Sequence, residues 1–90
     1  VPERLRSAKR LAVGAKQTLK AVQAGAAAIV YIAQDAEERV LRPLRAEIAR
    51  SGVEVVYVES MQALGRMCGI DVGAAAAAIL QGDLPRAKRA

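Results

Sequence analysis

Apolar positions along this chain come in two patterns: some recur three or four residues apart, others gather in short unbroken runs. Leu5, Ala8, Leu11 and Ala12 recur at helical spacing with Arg and Lys between them, and Pro2 suits a first turn. The opening residues therefore read as an amphipathic helix, broken at Gly14. Leu19, Val22 and Ala26 carry a second helix from Ala15, closed near Gly25. The run from Ala27 to Ala33 is apolar and partly β-branched, as is that from Val53 to Val58, and both have the length of buried strands. Between them, Asp35 and Glu38 have the spacing of a capping box, with Asp35 as the cap. Pro43 argues against one helix over 36–51, because an interior proline costs about 3 kcal/mol or more. The expectation is a short turn near 37–41, then a helix restarting with Pro43 in its first turn, burying Leu44 and Ile48 and stopping at Gly52. Ser60 caps a short helix carrying Met61, Leu64 and Met67, and Gly69 ends it.

The stretch from Gly73 to Leu80 is ambiguous. Alanine is the best helix former and is depleted in strands, so propensity favours a helix; close packing that demands small side chains favours a strand. The element order points to an α/β sandwich with helices on both faces of a small sheet, which a strand at 74–80 would complete. There is no internal repeat and no linker, so residues 1–82 read as one domain and 83–90 as a basic tail.

Composition narrows the functional classes. The 90 residues contain one cysteine and no histidine. No internal disulfide, no Ser-His-Asp or Cys-His arrangement and no Cys/His zinc site can be built from them. No apolar run reaches the ~18 residues that suggest a membrane span, and the charged start is not followed by an apolar signal segment, so the expected location is cytoplasmic. The net charge is +5. It is carried by Arg4, Arg6, Lys9, Arg10, Lys16 and Lys20 at one end and Arg86, Lys88 and Arg89 at the other, while residues 21–82 are mildly acidic. That asymmetry suggests a localised site for a polyanion. Phe and Trp are absent and only Tyr31 and Tyr57 remain, too few rings for a module that stacks bases along a strand.

Two segments carry candidate chemistry. The first is Gly14-Ala-Lys-Gln-Thr-Leu-Lys20. As a helix start it has no acidic residue and no side-chain cap, and Lys16 and Lys20 share the face beside the positive dipole end, which is unfavourable unless an anion binds there. Gln17 beside them can both donate and accept. The alternative is a solvated lysine face. The second segment is Cys68-Gly-Ile-Asp-Val-Gly73, a glycine-bounded loop whose Ile70 and Val72 either cover a ligand or plug the core edge. Cys68 reads as a small buried hydrophobe, since nothing near it in sequence would lower its pKa.

Together these segments resemble the kink-turn RNA-binding ribosomal protein family, the L-seven-Ae and L-thirty-e group, and its bacterial L-seven-Ae-like members in particular. Gly14-x-Lys-Gln-Thr-Leu-Lys20 looks like the family's RNA-reading helix start, and the run from Val58 to Ala76 looks like its C-terminal signature, with Ile29–Ala36 fitting between. The resemblance implies a three-layer α/β/α sandwich around a mixed sheet of about four strands, with strands at 74–80 and near 11–13. It implies binding of kink-turns, sharply bent helix–bulge–helix RNA elements with tandem sheared G·A pairs. Gly14, Lys16, Gln17 and Lys20 would meet those pairs and the adjacent backbone. Ile70, Asp71 and Val72 would cover the extruded bulge nucleotide, flanked by Glu37 and Leu41. Lys16-Gln17 stands where many archaeal-type members have Asn-Glu, and Val72 where some have a basic residue.

The expected partner is thus RNA, ribosomal or riboswitch-like, bound by a monomer with no cofactor, no metal and no membrane, and the ribosome is a further expected partner. The competing expectation is a protein-interaction module of the same fold that docks through the 70–72 loop. An enzyme is disfavoured: capping accounts for Asp35, Glu37 and Glu38, and no nucleophile–base pair is apparent.

Overall fold

The apolar runs after Gly25 and Gly52 are strands, and the spaced apolar positions between Ala15 and Met67 lie on helices that cover them. A computed structural model describes residues 11–81. In chain order its elements are β1 (Leu11–Val13), α1 (Ala15–Gln23), β2 (Ala27–Ala33), α2 (Glu38–Ser51), β3 (Glu54–Val58), α3 (Met61–Met67) and β4 (Ala76–Leu80). The strands form one sheet in the order β1-β4-β2-β3. β2 and β3 are parallel, and β4 runs antiparallel to both β1 and β2, so the sheet is mixed and four-stranded as the family resemblance implies.

Alternation along the strands splits the core in two. Ile29, Tyr31, Ala33, Ala77 and Ile79 pack on one face with Leu64 of α3. Val30, Ile32, Ala76 and Ala78 pack on the other with Ala21 and Val22 of α1 and Leu41 and Leu44 of α2. These are the three layers. β4 is a strand despite its alanines because it lies between β1 and β2 with helices over both faces, and the buried Ala76, Ala77 and Ala78 let those helices approach. Tertiary packing overrides the propensity.

Three local expectations are corrected. Leu11 and Ala12 belong to β1, pairing with Ile79 and Ala78, and not to a helix; Leu5, Ala8 and the basic residues at 4–10 and 86–89 lie outside the described residues. The helix over 38–51 is continuous and holds Pro43 in its interior. Pro43 and Arg39, whose carbonyl loses its N–H partner, are both on the exposed side, so water can solvate that carbonyl, and the buried Leu41 and Leu44 hold the helix to the sheet on either side of the proline. Asp35 does not cap α2. The cap position is Glu37, without a side-chain bond. Asp35 Oδ1 instead accepts the Met61 N–H of α3 at 2.7 Å.

The start of α3 is therefore held twice, by Asp35 and by the Ser60 hydroxyl, which accepts from the Ala63 N–H at 3.0 Å. Asp35→Ala removes an acceptor and a negative charge from a helix N-terminus, and we expect a loss of about 1 kcal/mol. Urea denaturation checks this: the midpoint should fall with the slope unchanged.

Candidate functional site

β1, β2 and β3 end, and β4 begins, at the same end of the sheet, which gathers their loops there. Backbone bonds stitch the loops together: Gly14 N–H to Ala76 O at 2.7 Å, Ala33 N–H to Ala75 O at 2.9 Å and Gln34 N–H to Val58 O at 2.8 Å. In α/β sheets the carboxyl ends of parallel strands are the usual place for ligands. Gly14, Lys16, Gln17, Glu37 and the 70–72 loop, far apart in sequence, all emerge at this end.

Gly14 occupies the cap position of α1 with φ 104°, ψ 153°, a backbone state that glycine adopts readily and other residues rarely do. The first turn holds no acid, and no side chain caps it. The N–H groups of Ala15, Lys16 and Gln17 have no acceptor among the described residues. Lys16, Gln17 and Lys20 are exposed, while Thr18 between them is fully buried. The result is an open, positively polarised helix end with Lys16 in its first turn; Lys20 shares that face but stands in the last turn of the nine-residue helix, away from the positive dipole end.

The loop before β4 is seated on α3. Ile70 N–H donates to Gly65 O, and Ala74 N–H to Met61 O, each at 3.0 Å. A Cβ on Gly65 would overlap the Val72 carbonyl oxygen, so glycine is what lets the loop lie this close. Ile70 is half-buried against the α3-side core, Asp71 is exposed, and Val72 is 68% exposed. Glu37 is exposed, with its carboxylate 3.5 Å from Arg39. Leu41 is placed differently: at 2% exposure it supports the start of α2 from within the core and presents no surface.

Gln34 at this end escapes the sequence reading, and local spacing presents Asp35 only as a cap on the next helix. Gln34, exposed at the end of β2, is signalled only by being the first polar residue after an apolar run. Asp35 bridges to a helix start 26 residues away, a contact that local spacing does not reveal. Among the described residues no group of three His, Cys, Asp or Glu side chains could hold a metal ion, and burial pushes the Cys68 thiol up, away from the reactive thiolate. A cleft of about 310 Å³ lies at the opposite end, between the helix C-termini and Gln81, and none of the expected site residues line it.

The ribosomal protein L7Ae/L30e/S12e/Gadd45 family model matches residues 1–86. The chain belongs to this family. Relatives in it are named as RNA-binding proteins and as a large ribosomal subunit protein. RNA-binding protein TTE2299 of Caldanaerobacter subterraneus subsp. tengcongensis is 55% identical over 71 residues, covering 79% of this chain and 87% of that one. RNA-binding protein YbxF of Geobacillus stearothermophilus is 39% identical over 79 residues, covering 88% and 96%. Among solved structures, the Giardia lamblia 15.5kD RNA binding protein superposes with a TM-score of 0.72 at 35% identity, covering 78% of this chain; the chain spans 59% of that protein. As a member of the L7Ae/L30e/S12e/Gadd45 family, the chain places its two candidate segments on one sheet end. No helix among the described residues is long and apolar enough to cross a membrane.

Proposed function

We propose that the chain binds kink-turn RNA. Gly14, Lys16, Gln17 and Lys20 meet the sheared G·A pairs and the adjacent backbone, and Ile70, Asp71 and Val72 cover the extruded nucleotide with Glu37 at its flank. The observation that carries this reading is the meeting of an open helix N-terminus and an exposed aliphatic loop at one end of a single sheet. The N–H groups and lysines suit phosphate, the Gln17 amide suits a base edge, and Val72 gives an unstacked base apolar cover. Such recognition reads shape and needs few aromatic rings. Relatives named as RNA-binding proteins are consistent with it. The partner in this reading is a structured RNA, ribosomal or riboswitch-like.

The test compares a kink-turn with the same RNA after its G·A pairs are replaced by Watson–Crick pairs. The kink-turn should bind much more tightly; equal affinities overturn the reading. Lys20→Ala should weaken binding and reduce the slope of log K against log salt by about one.

A further inference from the structure

Beside this site lies a cluster that the reading above leaves unused. Of the two tyrosines, Tyr31 is fully buried and Tyr57 is 50% exposed. Tyr57 stands one residue from the end of β3, an edge strand, and pairs with Ile32 across the sheet. Its side chain meets α2: Arg45 Nη1 donates to the Tyr57 hydroxyl at 3.1 Å, and the guanidinium carbon lies 6.0 Å from the ring centroid. Arg45 Nε also donates to Glu38 Oε2 at 2.6 Å. The ring is thus braced by a guanidinium that is itself held, in a residue that is half exposed overall.

The local charges are allocated. Glu38 is matched by Arg45 and Glu37 by Arg39. Arg42 lies on the α2 face between Glu38 and Arg45, is exposed, and has no ion pair among the described residues. A fixed aromatic face beside an uncommitted cation matches one nucleotide, with its base on the ring and its phosphate on the arginine. The cluster is continuous with the candidate site, since Glu38 follows Glu37 and Tyr57 lies near the end of β3 bonded to Gln34. It is one sheet width from β1, about 14 Å.

We propose that Tyr57, braced by Arg45 and with Arg42 beside it, is a stacking platform for an unpaired base in single-stranded RNA flanking the bent element. This rests on the kink-turn reading. The probes are a blunt kink-turn and the same RNA with a short oligoadenylate extension at either end. The wild-type chain should bind one extended RNA roughly 5- to 100-fold more tightly than the blunt one. Tyr57→Phe, which keeps the ring but loses the hydroxyl that accepts from Arg45, should keep most of that gain. Tyr57→Val, which keeps a β-branched residue in the strand, should lose most of it while leaving blunt affinity unchanged. Arg42→Ala should reduce both the gain and its salt dependence. Equal affinities for blunt and extended RNA overturn the platform alone and leave the surface to a protein partner. An equal gain in the wild type and Tyr57→Val overturns it too, as does a matching loss of blunt affinity. No binding to the blunt kink-turn overturns the underlying reading and the platform with it.

Discussion

Gly65→Ala is expected to unseat the 70–73 loop and to weaken RNA binding more than any single change at Lys16, Gln17 or Lys20. The added methyl would overlap the Val72 carbonyl oxygen, which is backbone and has no rotamer to change. The helix cannot retreat, because the adjacent Leu64 is fully buried against the sheet. The loop cannot lift freely either: the bonds from Ile70 N–H to Gly65 O and from Ala74 N–H to Met61 O hold it at both ends. Overpacking of this kind costs about 1–3 kcal/mol, and a backbone obstacle argues for the upper end. If the loop shifts to relieve the clash, less stability is lost but Val72 leaves its place. Thermal unfolding together with RNA titration checks this, with Gln62→Ala, exposed on the same helix, as the neutral control. An unchanged melting temperature with unchanged affinity would show that the loop does not depend on the missing side chain.

Ala78→Leu should destabilise the fold by about 3 kcal/mol. Ala78 is fully buried and faces the layer containing Ala21, Val22, Leu41 and Leu44. Its strand is central, so the larger side chain has no open edge into which to turn. A domain of this length has roughly 5–13 kcal/mol of stability, so the melting temperature should fall by about 12 °C or more. Ala46→Leu, on the exposed side of α2, should change stability by no more than about 0.5 kcal/mol. Similar effects at the two sites would refute the view that small side chains in β4 set the helix–sheet distance.

Much of the candidate site was legible because its signals are local. Gly14 followed by a turn with Lys16 and no acid marks an open helix start without reference to any other part of the chain, and the structure shows that start with no side-chain cap. The Ser60 cap is equally local and holds at 3.0 Å. Leu41 marks the limit. Its place after the first long strand was visible, but its burial at 2% depends on the rotation of α2 against the sheet. Asp35 shows the same limit: three-residue spacing suggested a cap on the next helix, whereas the carboxylate serves a helix that only folding brings close.

By itself, the sequence determined which segments are strands and helices where period and composition agree, as in Ala27–Ala33 and Met61–Met67. It excluded chemistry that needs histidine or paired cysteines, and it located the basic helix start. Only the tertiary structure decided the rest. It made the alanine run a strand, because a central position in the sheet outweighs a preference of less than about 1 kcal/mol per residue. It kept α2 continuous through Pro43, because the orphaned carbonyl lies on the exposed side. It also brought Gly14, Glu37 and Val72 to one end, because three strands finish there and the fourth begins, a consequence of sheet order that no local pattern encodes.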